Sequence, residues 1–65
     1  MVFKHYITNY KTASGDYDIM LDWHHYGIEA TVLCDGKETQ RHKYIDYSMK
    51  EVLELVKDKI DYSVS

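Results

Sequence analysis

The chain has 65 residues, 45% of them hydrophobic, with eight basic and eleven acidic side chains for a formal net charge of −3. That length allows one domain with a thin stability margin. The lone cysteine, Cys34, excludes an internal disulfide and a cysteine-rich zinc site, and the acidic balance argues against a general nucleic-acid binder. The start, Met1 to Tyr10, mixes Lys4, His5, Thr8 and Asn9 among its apolar residues, unlike a signal peptide. No run approaches a membrane span, so a soluble, cytoplasmic protein with no membrane association is expected.

The first predicted strand covers about residues 2–10. Val2, Lys4, Tyr6, Thr8 and Tyr10 share one face; Phe3, His5, Ile7 and Asn9 share the other, with Phe3 and Ile7 as the expected core contacts. The polar stretch Lys11 to Asp16, with Gly15, reads as a turn. The second strand, residues 16–23, alternates most clearly. Tyr17, Ile19, Leu21 and Trp23 face one way; Asp16, Asp18, Met20 and Asp22 face the other. "HHYG", His24 to Gly27, supplies the next turn. In the third strand, residues 28–34, Ile28, Ala30, Val32 and Cys34 oppose Glu29, Thr31 and Leu33.

Asp35–Gly36 marks a two-residue hairpin, because a type I′ turn needs positive φ at both central positions. The fourth strand, residues 37–45, is the most polar and suits a sheet edge. Its alternation sets Glu38, Gln40, His42 and Tyr44 against Lys37, Thr39, Arg41, Lys43 and Ile45. The helix start is explicit. Ser48 and Glu51 form a capping box, and Tyr47 and Val52 occupy staple positions. Met49, Val52, Leu53, Val56 and Ile60 then form one apolar stripe over about residues 49–60, with Leu55 off it.

These elements predict an α+β fold: a four-stranded antiparallel β-meander with one C-terminal α-helix packed on one face, ββββα in two layers. The helix covers Tyr17, Ile19, Leu21 and Trp23 with Ile28, Ala30, Val32 and Cys34. The opposite face, bearing Asp16, Asp18, Met20, Asp22, Glu29, Thr31 and Leu33, meets solvent or a partner.

Asp16, Asp18 and Asp22 invite a metal reading, which strand geometry opposes. Alternate residues stand about 6.5–7 Å apart, so three carboxylates in a row cannot close on one ion. The adjacent His24 and His25 diverge in an extended chain, and nothing in the spacing demands zinc. Cys34 has the place of a small core residue rather than a nucleophile. No metal, cofactor or catalytic residue is expected, and so no enzyme.

Protein binding is the expected function. Asp16, Asp18, Met20, Asp22, Glu29 and Leu33, rimmed by Tyr26, would dock onto a basic site of a larger, nucleic-acid-processing protein. Acids on every second residue recur at about 6–7 Å, close to the phosphate spacing along a DNA strand, which suits a DNA mimic. An inhibitor or adaptor of the kind that phages and mobile elements encode fits this description. Seven tyrosines add contact area at low entropic cost. Homodimerisation through the open face or an edge strand would enlarge so small a core. The alternative is a nucleic-acid-binding module in which Lys37, Arg41 and Lys43 touch phosphates from one face of the fourth strand.

Overall fold

The computed structural model describes residues 4–13 and 15–64, with Ser63 and Val64 described by backbone alone. Val2 and Phe3 of the expected first strand lie outside the described residues. Four antiparallel strands, β1 (Lys4–Thr12), β2 (Gly15–His24), β3 (Gly27–Cys34) and β4 (Lys37–Tyr44), form one open sheet in the order β1-β2-β3-β4. The helix α1 (Met49–Val64) follows. This is the expected ββββα arrangement.

The β1–β2 turn is tighter than expected. Lys11 pairs with Asp16 and Thr12 with Gly15, so most of the Lys11 to Asp16 stretch belongs to the ladder. The Thr12 hydroxyl donates to the Gly15 carbonyl at 3.1 Å and clips the end. Polar composition suggests a loop, but each added pair satisfies main-chain groups that a loop would leave to water. The Asp35–Gly36 turn has φ of 54° and 79°, both positive as a type I′ turn requires.

Register places the core. Ile19 pairs with Val32, Leu21 with Ala30, and Trp23 with Ile28, all on the helix side. Ile19, Leu21, Ile28, Ala30, Val32 and Tyr44 are buried against Val52, Val56 and Ile60. Each large aliphatic side chain so buried stabilises the fold by about 1.5–3 kcal/mol. The helix is set at its start by the expected capping box. Glu51 N–H donates to Ser48 Oγ at 3.3 Å, and Ser48 N–H to Glu51 Oε1 at 3.1 Å. Met49, expected in the apolar stripe, is instead exposed in the first turn, while Leu55 is half-buried toward β4.

Two strands depart from their expected faces. In β1, register with β2 turns Lys4, Tyr6, Thr8 and Tyr10 to the helix side, and Ile7 lies 56% exposed on the open side. A hairpin's turn decides which parity faces the core, and here it overrides the apolar choice of Ile7. Tyr10 repays this with a polar tie: its hydroxyl donates to Asp61 at 2.9 Å, and Lys57 Nζ stands 5.4 Å from its ring centre.

β4 contains a bulge. Leu33 pairs with Glu38, yet Val32 pairs with Gln40, leaving Thr39 as an extra residue. The Thr39 hydroxyl donates to the Val32 carbonyl at 3.2 Å. The extra residue exchanges the faces of everything beyond it. Tyr44, His42 and Gln40 come to the helix side, and Arg41 and Lys43 to the open side. The expected alternation of β4 therefore holds only from Gln40 onward, and Lys37 and Glu38 are each on the face opposite to the one that alternation assigns them. At the far end of this pair, a Cβ on Gly27 would stand 2.3 Å from the Tyr44 carbonyl oxygen, so the β3–β4 approach requires glycine.

Candidate functional site

The open sheet face is built from four cross-strand rows. His5, Asp22, Glu29 and Lys43 form the first, and Ile7, Met20, Thr31 and Arg41 the second. Asn9, Asp18, Leu33 and Glu38 form the third, and Lys11 and Asp16 the fourth. Every partner residue expected on β2 and β3 thus shares one surface: Asp16, Asp18, Met20, Asp22, Glu29 and Leu33.

Their electrostatic settings differ along the face. At the first row, His5 Nδ1 is hydrogen-bonded to Asp22 Oδ1, and Glu29 stands opposite Lys43. Both carboxylates are half-buried. At the third row, Asn9 Nδ2 donates to Asp18 Oδ1 at 3.1 Å, a neutral partner that leaves the charge in place. Asp16 and Asp18 are exposed. Glu38, also on this face, accepts from Arg41 Nη2 at 2.6 Å, a contact that the bulge permits across an i,i+3 separation. The exposed carboxylates of β2 lie at the Asp16–Asp18 end, where Lys11 pairs with Asp16.

Between these ends lies an apolar band. Ile7 is exposed, Met20 and Leu33 are half-buried, and Thr31 is only 2% exposed between Met20 and Arg41. Ile7 belongs to this band although composition suggested a core residue.

Tyr26 stands at the first-row end of the face. It stacks on His24 with ring centres 4.7 Å apart and planes at 11°, and Lys43 Nζ lies 5.2 Å from its ring centre. His25 meets the same ring edge-on at 6.0 Å. Tyr26 is therefore a half-buried strut between the β2–β3 turn and β4, and only part of its ring is open to a partner. The His24 Nε2 atom is buried with no hydrogen-bond partner among the described residues.

The alternative basic site does not assemble. Arg41 and Lys43 reach the open face, but Lys37 pairs with Cys34 on the helix side of the bulge. Lys43 is engaged with the Tyr26 ring and Arg41 with Glu38. Cys34 is a half-buried thiol on the helix side, away from the His5–Asp22 pair. Among the described residues no group of three His, Cys, Asp or Glu could hold a metal ion. No helix among them is long and apolar enough to cross a membrane.

A concavity lies away from the open face. A groove of about 500 Å³ runs between β4 and α1, lined by Gln40, His42, Leu55, Asp58, Lys59 and Tyr62.

Comparison with protein-family models, with curated proteins and with solved structures finds no match to this chain.

Proposed function

We propose that this chain is a small binding module that engages a protein partner through its open sheet face. The observation that carries the reading is the juxtaposition, on one surface, of the Ile7–Met20–Leu33 band with the exposed carboxylates of Asp16 and Asp18. A partner that fits presents apolar side chains beside one or more lysines or arginines. Apolar contact would supply affinity, while the carboxylates would set orientation and association rate. Register anchors the surface, so little ordering is needed on binding.

An inhibitor or adaptor acting on a basic site of a nucleic-acid-processing protein is the class that this chemistry favours. The DNA-mimic element rests on Asp16 and Asp18, which are exposed, whereas Asp22 and Glu29 are half-buried. The reading needs no catalytic group and no cofactor. Its free thiol at Cys34 suits the reducing cytoplasm.

The test is capture of a partner by the wild-type chain, followed by affinity measurement on two variants. Asp16→Lys/Asp18→Lys is expected to weaken binding by about tenfold or more. Asp58→Lys, on the helix side, is expected to leave it unchanged. Equal affinity of wild type and the β2 variant would refute the open-face reading.

A further inference from the structure

We propose that two copies of this chain join through β1, edge to edge and antiparallel, into one continuous eight-stranded sheet. Among the described strands, β1 has a neighbour on one side alone. It is nine residues long, and its register with β2 runs without a bulge. It contains no proline and no acidic residue, and its lysines, Lys4 and Lys11, stand near its ends. Tyr6 and Ile7 at its centre are both exposed. A long, regular edge of this kind is a template for another strand.

The other edge of the sheet is protected. β4 has the bulge at Thr39 and a run of charge in Lys37, Glu38, Arg41 and Lys43. Both features deter strand addition. The contrast between the two edges of one sheet singles out β1.

The occupant is a second copy because the strand is complementary to itself. A twofold axis at Ile7 sets Ile7 against Ile7, His5 against Asn9 and Tyr6 against Thr8, with no like charges opposed. A twofold at Thr8 would set His5 against Lys11 and Ile7 against Asn9, which is worse in charge and in apolar contact. With the axis normal to the sheet, both helices lie on one side and both open faces on the other. The paired isoleucines then join the two Ile7–Met20 bands. β1, which has no fully buried side chain as a single copy, becomes an interior strand.

Sedimentation equilibrium from low micromolar to millimolar concentration tests this. The expected mass rises to twice the 7.7 kDa of one chain. Ile7→Lys, at a position exposed in the single chain, is expected to keep the far-ultraviolet circular dichroism and to weaken association by about tenfold or more. Arg41→Ala, near the other edge, is expected to leave the mass as in the wild type. A spin label at position 43 in a Cys34→Ala background gives an independent distance. Seven strand spacings of about 4.8 Å place the two labels about 34 Å apart or more. A single-chain mass at every concentration overturns the proposal. So does a dimer that Ile7→Lys leaves intact, or a label separation under about 20 Å, which would indicate pairing through β4 or face to face. These outcomes are separable from the open-face reading, which is tested on the carboxylates of β2.

Discussion

Gly27→Ala should be among the most damaging single-methyl changes in this molecule. Gly27 opens β3 with φ of +146°, and a Cβ there would lie 2.3 Å from Tyr44 O and 3.2 Å from Ile45 Cα. Both obstacles are backbone, so no side chain can rotate away. Reaching even 3.0 Å requires a displacement of roughly 0.7 Å between β3 and the end of β4, from the difference between 3.0 and 2.3 Å. The dihedral alone costs an alanine about 1–3 kcal/mol. Overpacking against fixed atoms adds about 1–3 kcal/mol. At about 0.05–0.15 kcal/mol per residue, a chain of this size has roughly 3–10 kcal/mol in all. The substitution therefore consumes a large share of the total. Gly36→Ala separates the two contributions, since Gly36 has φ of +79° but nothing within 4 Å of its Cβ position. Thermal unfolding followed by circular dichroism is the assay, at about 4–8 °C per kcal/mol. Gly27→Ala is expected to melt at least about 10 °C below wild type, or without a cooperative transition, and clearly below Gly36→Ala. Equal midpoints for the two variants would refute the steric argument.

Deleting Thr39 removes the bulge and should turn Tyr44 out of the core, costing about 2 kcal/mol or more in lost burial. Thr39→Ala keeps the residue count and loses one hydroxyl bond, at about 1 kcal/mol. Denaturant titration of the pair checks that the residue count, not the hydroxyl, sets the faces of β4. Tyr44→Phe concerns a buried hydroxyl with no partner among the described residues, and it should be neutral or stabilising by up to about 1 kcal/mol at pH 7. Burial, with the nearby Tyr47 adding to it, raises the Tyr44 pKa above its ordinary value of 10.0. The folded state therefore holds the phenol proton more tightly than the unfolded chain. That contribution is fully present below about pH 10 and is lost as pH rises through the folded value. Melting curves above pH 10 should show a smaller alkaline loss in Tyr44→Phe than in wild type, and equal losses would exclude this origin.

The open face shows how far local pattern carries. Period-two alternation in residues 16–23 and 28–34 is enough to set Asp16, Asp18, Met20, Asp22, Glu29 and Leu33 on one surface. The placing of His5 against Asp22 and of Lys43 opposite Glu29 is not local, because it joins residues from different strands. The bulge leaves a trace in the residue count of the β3–β4 hairpin. A two-residue turn at Asp35–Gly36 pairs Cys34 with Lys37, which, without an extra residue, pairs Gly27 with Tyr44 and sends the apolar end of β4 to the open side. That conflict is visible in the sequence, but its resolution at Thr39 is not.

Element type and order, and the start of the helix, were local matters, since they rest on alternation, turn dihedrals and a capping box that span a few residues each. The outer faces of β1 and β4, and hence the charge pattern of the candidate site, were decided by pairing. Parity in a strand carries no sign of its own. Only the hairpin that joins Thr12 to Gly15 and the extra residue at Thr39 determine which side of each edge strand meets the helix and which side is left for a partner.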